Sequence, residues 1–261
     1  MTSFDELMAE GLAAPFTGWD FSWLDARSTI SPPPWNYRQQ VSRYGADATT
    51  MLDMGTGGGE WLSDLHPRPP QTVATECWPP NVTIAARRLH PLGIPVVQAA
   101  GAPDNMATDR GRETDGVLPF RAGAFGLVTN RHESFDAGEV ARVLAPGGVF
   151  VTQQVDYHSN DDLYRVLGLA IPAEPDSWLP LALQQVSSAG LNTQTAVAGE
   201  GVRHFADLPG IVYYLKVIHG ELGGLPPDSF RPALRRLFES DTAWPLPIRG
   251  RRFLVVARKP G

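Results

Sequence analysis

Glycines and two carboxylates carry the first chemistry that this sequence shows. Residues 51–60 read Met-Leu-Asp-Met-Gly-Thr-Gly-Gly-Gly-Glu. A short apolar run ends in Asp53, and glycines follow at 55, 57, 58 and 59. Glycine at such a turn lets the backbone adopt positive φ and pass within contact distance of a ligand. A helix starting near Glu60 would turn its free N–H groups toward the same ligand. The dinucleotide fingerprint G-x-G-x-x-G needs glycine or alanine three residues after its second glycine. Glu60 stands there instead, which argues against NAD or FAD. The pattern that fits is acid-x-Gly-x-Gly-x-Gly, filled by Asp53, Gly55, Gly57 and Gly59 with Met54 and Thr56 between. A second acid, Glu76, closes the strand-like run at 72–75. An acid about 20 residues past such a turn, at the end of a strand, can accept hydrogen bonds from both hydroxyls of a ribose.

A second cluster is ionisable. Asn130-Arg131-His132-Glu133 ends the apolar run at 124–129. Histidine is the usual choice where a base must take a proton near neutral pH. His132 is therefore the candidate base, with Glu133 orienting it or touching substrate; the other reading packs His132 against its loop. Arg131 suits a carboxylate of substrate or cofactor, or an internal ion pair. Gln153 and Gln154 follow the strand at 149–152 and point to opposite faces, so that one of them, Gln154, is a candidate for the pocket. Tyr213, Tyr214 and Lys216 lie on a predicted helix near the same mouth, with core packing the alternative for at least one tyrosine.

The elements that must position these groups alternate. Pro79-Pro80-Asn81 opens a helix, prolines being tolerated in a first turn. Residues 94–99 read as a strand, and 140–144 as a helix running through Ala145-Pro146-Gly147-Gly148 into the strand beyond. Residues 252–258 form a final strand, and 162–169, 179–189 and 211–218 carry helical patterns.

The acid and glycine turn resembles motif I of the class I S-adenosylmethionine (SAM) dependent methyltransferases. Leu118-Pro119-Phe120 with 124–130 resembles the family's "LPF…FDLV" run, Gly126 replacing its usual aspartate. The run "EVARVLAPGGVFV" at 139–151 is similar to the helix, turn and fifth strand of these enzymes. The resemblance covers about residues 45–260. It implies an α/β fold: a seven-stranded, mostly parallel, doubly wound sheet with an antiparallel last strand. It also implies SAM as cofactor and S-adenosylhomocysteine as product. Asp53, Met54, Gly55, Thr56, Gly57, Gly59, Glu76, Cys77, Trp78 and Asn130 would hold the cofactor. The Asn/Asp/Ser-Pro-Pro-aromatic tetrad of amino-methylating DNA enzymes is not what Asn130-Arg131-His132-Glu133 spells, and cytosine-C5 enzymes need a Pro-Cys pair, whereas the one cysteine here follows Glu76. Asp156 alone does not make the acidic metal cluster of catechol-type enzymes. What remains is metal-independent methyl transfer to O, N or C of a small organic acceptor. A ribosomal or transfer RNA methyltransferase is one alternative. The other is a SAM-binding protein that no longer methylates.

Composition bounds the rest. The chain has 261 residues, a net charge of −6 and one cysteine, Cys77. That length holds one large α/β domain with an accessory segment. The acidic balance makes nucleic acid an improbable partner. A single cysteine excludes internal disulfides and suits a reducing cytoplasm. No basic-plus-apolar leader and no apolar run near 18 residues is evident, so a cytoplasmic monomer or homodimer is expected. The 26 glycines and 24 prolines predict a loop-rich molecule. Residues 1–44 read as a cap segment and 45–261 as the SAM-binding domain, with insertions at about 101–117 and 156–250. Trp19, Trp35 and Tyr37, with Phe21 and Trp23, offer large apolar faces for walling an acceptor. Their alternative role is to pack the extension onto the sheet's helices.

Overall fold

The computed structural model describes residues 2–102, 116–171, 173, 176–218, 224–240 and 243–261. The predicted insertion at 101–117 falls mostly outside them. Eight strands form one sheet: β1 (Ser28–Ser31), β2 (Thr50–Met54), β3 (Gln71–Glu76), β4 (Val96–Gln98), β5 (Phe125–Arg131), β6 (Leu144–Val155), β7 (Asn192–Phe205) and β8 (Leu246–Arg258). Their order is β1-β7-β8-β6-β5-β2-β3-β4. β4, β3, β2, β5 and β6 run parallel, and β8 lies antiparallel to both β6 and β7. The chain leaves β2 for β3 and β4 on one side and returns as β5 on the other. The switch point therefore falls between β2 and β5, where ligands of open α/β sheets bind.

The mostly parallel sheet with an antiparallel last strand is the expected fold, but the strand count is eight. The added strand is β1, which pairs with β7 from Ser28↔Phe205 to Ser31↔Val202. β7 itself, within the stretch expected to be an insertion, is a fourteen-residue strand that apolar patterning does not reveal. Its sequence, Asn-Thr-Gln-Thr-Ala-Val-Ala-Gly-Glu-Gly at the start, buries almost nothing on one face and carries glycine on the other.

Nine helices are described among these residues: α1 (Phe4–Ala13), α2 (Tyr37–Gly45), α3 (Glu60–Ser63), α4 (Pro79–Leu89), α5 (Ala137–Val143), α6 (Asp161–Leu167), α7 (Leu179–Ser188), α8 (Leu208–Val217) and α9 (Arg231–Phe238). Side chains on a strand alternate between faces, and the sheet buries both. Met51, Leu127, Val151 and Leu254 meet α2 and α4 on one face. Leu52, Val128, Phe150 and Phe253 meet α5 and α7 on the other. A third cluster gathers α1, α6, α8 and α9 around Met8, Ile211, Val212, Tyr213 and Leu234.

The N-terminal 44 residues belong to this body. Ser3 caps α1 in a reciprocal capping box with Glu6. Gly11 then lets α1 press on α8: a Cβ there would lie 2.7 Å from Pro209 O and 2.8 Å from Val212 Cβ. Between β1 and α2 the prolines cross the sheet over glycines. A Cβ on Gly199 would lie 2.6 Å from Pro34 Cδ, and one on Gly201 3.3 Å from Pro33 Cδ.

Candidate active site

The glycine turn is built as its composition demands. Gly55, Gly57 and Gly59 have φ of 64°, 63° and 79°, a region that residues with a Cβ resist. Thr56 N–H bonds Thr75 O at 2.9 Å, tying the turn to β3. Arg88 of α4 reaches across to Gly58 O and to the Glu60 carboxylate. Glu76 ends β3 beside the turn. Its Oε2 accepts from Gly57 N–H at 2.7 Å and its Oε1 from Trp78 N–H at 2.9 Å. A carboxylate has about four lone-pair sites, so each oxygen keeps acceptor capacity for a further donor. Burial pushes the Glu76 carboxyl upward, against the pull of these backbone donors.

A narrow cleft opens from the switch point. Met54, Gly55, Glu76, Cys77, Ala99, Gly101, Ala102, Leu118, Glu133, Ser134, Asp136 and Glu139 line it. Glu133 causes the constriction: a Cβ on Gly55 would lie 2.6 Å from Glu133 Cβ, and one on Gly101 3.1 Å from Glu133 Oε1. The glutamate thus lies against the Gly55 and Gly101 wall of the cleft. Asp136 caps α5 by accepting from Glu139 N–H. Glu139 in turn bonds Arg142 and Leu118 N–H.

Two polar ladders lie buried below, one on each sheet face. On the α2 face, Asp53 accepts from Thr129 Oγ1 at 2.8 Å. Burial pushes its carboxyl up to about 6. Tyr37 Oη donates to Asn130 O at 3.1 Å. On the α5 face, Asn130 Oδ1 accepts from Thr152 Oγ1 (2.9 Å) and Gln154 Nε2 (2.5 Å). Gln154 Nε2 also reaches Glu133 O at 3.1 Å.

His132 has φ 61°, which turns its ring toward Gln153 and the α2 face. Its Nε2 lies 3.2 Å from Gln153 Nε2. Trp35 Nε1–H, a donor only, bonds Gln153 Oε1 at 2.8 Å. That fixes the amide, so Gln153 donates to His132 Nε2 and the imidazole proton sits on Nδ1. Burial, then the positive charges of Arg252 and Arg131, hold its pKa well below the ordinary histidine value. The ring is neutral, and its lone pair is already engaged. Arg131 lies half-buried with Trp61 5.8 Å away.

The structure thus brings Met54, Gly55, Glu76, Cys77 and Glu133 to one cleft, with Thr56, Gly57 and Gly59 shaping its wall and Asp53 beneath. Trp78 is 60 % exposed at the rim. Three residues expected to touch substrate are instead buried. Tyr37 is locked to backbone, Gln154 to the Asn130 ladder, and Tyr213 donates to Asp20 O at 3.1 Å inside the third cluster. Asn130 is likewise wholly buried. Tyr214 packs against Phe21 and Phe205. Trp35 holds Gln153, and Trp19 lies on the glycine turn, its Cβ 3.1 Å from where a Gly57 Cβ would be. Of the N-terminal aromatics, Trp19 packs on the glycine turn, while Phe16, Phe21 and Trp23 pack against the third cluster. Sequence reasoning passed over Ala99–Ala102, Ser134, Asp136 and Glu139. The Asp136-x-x-Glu139 helix start was a readable signal.

No protein-family model and no curated protein matches the chain. Solved structures do. A functionally unknown protein from Deinococcus radiodurans R1 superposes with a TM-score of 0.56 at 16% identity, over 89% of this chain and 90% of that one. The YcgJ protein from Bacillus subtilis gives 0.53 at 15%, over 86% and 98%. The BH2331 protein from Bacillus halodurans C-125, provisionally described as a methyltransferase, gives 0.52 at 19%, over 86% and 99%. The chain has the fold of the class I SAM-dependent methyltransferases. Its glycine turn and Glu76 fit what SAM requires: a close backbone approach and an oriented acceptor for a ribose.

Proposed function

We propose that the protein binds SAM in this cleft and transfers its methyl group to O, N or C of a small organic acceptor, without a metal ion. The observation that carries this reading is the Glu76 carboxylate, held by two backbone N–H groups beside three positive-φ glycines. Glu76 would take the ribose hydroxyls, and the turn at 55–59, Cys77 and Leu118 would flank the rest of the cofactor. SAM supplies an electrophilic methyl on a sulfonium. The protein's part is to align an acceptor with it and exclude water. With its Nε2 engaged and its pKa depressed, His132 serves as a positioning donor through Nδ1–H, and alignment rather than base catalysis carries the rate. A cytoplasmic monomer or homodimer belongs to the same proposal; among the described residues no helix is long and apolar enough to cross a membrane.

Calorimetry tests the reading. The wild type should bind SAM and S-adenosylhomocysteine and ignore NAD. Hydrogen bonds to a charged group are worth about 1.5–3 kcal/mol, so Glu76→Ala should weaken SAM roughly ten- to a hundredfold. Folded wild type that binds neither compound would refute the proposal.

A further inference from the structure

Arg131 and Arg252 bear on His132 from the α2 face, with Arg203 further along β7. None of the three has a carboxylate within ion-pair distance among the described residues, although Asp53 acts on Arg131 and Asp25 on Arg203 from further off. Arg131 pairs with Gln153 across β5 and β6, and Gln153 pairs with Leu254 on β8. Arg252, two residues before Leu254, therefore stands on the same face one step nearer the strand ends. Arg203 lies on β7 beyond Gly199 and Gly201, past the crossing prolines.

Their hydrogen bonds leave most of their donors over. Arg252 gives Nη1 to Ser159 Oγ at 2.8 Å and to Arg251 O. Arg203 gives Nη1 to Ser28 Oγ at 2.6 Å, with Tyr214 at 5.9 Å. The half-buried Arg131 side chain makes no hydrogen bond among the described residues. Each guanidinium carries five N–H donors, and His132 adds its Nδ1–H. Like charges held this close repel, and the pKa values of Arg131 and Arg203 are lowered by burial first and by Arg252 among the smaller causes. All three arginines remain half-buried rather than sealed. A cluster of guanidinium donors with more N–H groups than acceptors, half-buried beside Trp35 and Trp61, suits an anion.

We infer that Arg131, Arg252 and His132 form the receptor for an anionic group, carboxylate or phosphate, on the acceptor molecule. Arg203 stands behind them as a further positive charge. The inference deepens the proposed methyl transfer and rests on it for the word acceptor; the anion site itself does not.

The test is calorimetry with benzoate, phenyl phosphate and benzamide, each titrated into the protein with and without S-adenosylhomocysteine. One or both anions should bind, more weakly as salt rises, and neutral benzamide should not. Which anion binds tells carboxylate from phosphate. Arg131→Met and Arg252→Met should each weaken the bound anion roughly ten- to a hundredfold, the range for a lost charge-assisted bond. Each variant should melt cooperatively without anion, which separates a binding defect from misfolding. Equal binding of benzamide, or of benzoate and phenyl phosphate by both variants, would overturn the inference. So would Arg131→Met weakening S-adenosylhomocysteine while leaving anion affinity intact, because the arginine would then serve the cofactor. Absent S-adenosylhomocysteine binding with intact anion binding would instead refute the methyl-transfer reading alone.

Discussion

Asp53 is the residue whose burial has the clearest consequence for stability. Its carboxyl is pushed up to about 6 in the fold, against about 3.9 when unfolded. Between those values the folded state holds the extra proton, so stability falls as pH rises from about 4 to about 6. Asp53→Asn keeps an oxygen for Thr129 Oγ1 and removes the buried charge. It should stabilise the protein at pH 7 by up to the order of 2–3 kcal/mol and leave it unchanged near pH 4. Thermal melts of both proteins across that range check this; an asparagine variant less stable at pH 7 would refute it. His132 makes a second residue-level expectation. With its pKa held well below the ordinary value, the rate of methyl transfer should show no limb attributable to histidine between about pH 6 and 8. A limb near 6.5 that disappears in His132→Gln would restore the histidine as base. At this scale the sequence was most legible where backbone geometry dictates residue type. Asp53, the three glycines and Glu76 could be read because few other residues serve a positive-φ turn with an oriented acid. Tyr37, Gln154 and Tyr213 could not, since an aromatic or amide near a strand end looks the same whether it faces a ligand or bonds the backbone.

Among the elements, the strands with apolar runs were legible, although β6 and β8 begin five and six residues earlier than expected, and β1 and β7 were not. β1 is four residues whose last three are exposed. It exists because β7 offers a free edge, a tertiary cause that no local pattern records. Helix α1 illustrates the opposite dependence. Its contact with α8 rests on the absence of a side chain at Gly11, facing Pro209 O and Val212. Gly11→Ala improves helix propensity, yet it should destabilise the protein by about 1–3 kcal/mol through overpacking. Denaturant unfolding measures the difference; a stabilised variant would show that α1 shifts freely.

For the molecule as a whole, the segment expected as a cap packs into a core that it shares with the later helices. Residues 1–31 supply Phe4, Met8 and Leu24 to the cluster around Ile211, Val212 and Tyr213, and β1 to the sheet. Deleting them uncovers a contiguous apolar surface of the kind that drives association. The truncated chain should be recovered mainly as aggregate, where a detachable lid would leave a soluble SAM-binding core. Soluble yield and size-exclusion profile distinguish the two.

The pairing of β1 with β7 also sets an order of events. During synthesis the N-terminal segment emerges first, but its sheet partner lies in the last third of the chain. Phe16, Phe21 and Trp23, which pack against the third cluster, must wait for α8 before they can leave water. Such a long-range closure is slow compared with local pairing, and the waiting segment is open to other partners meanwhile. Residues 28–31 are thus secured only after residues 202–205 have been made, and chaperone demand should depend on how quickly the ribosome covers that interval.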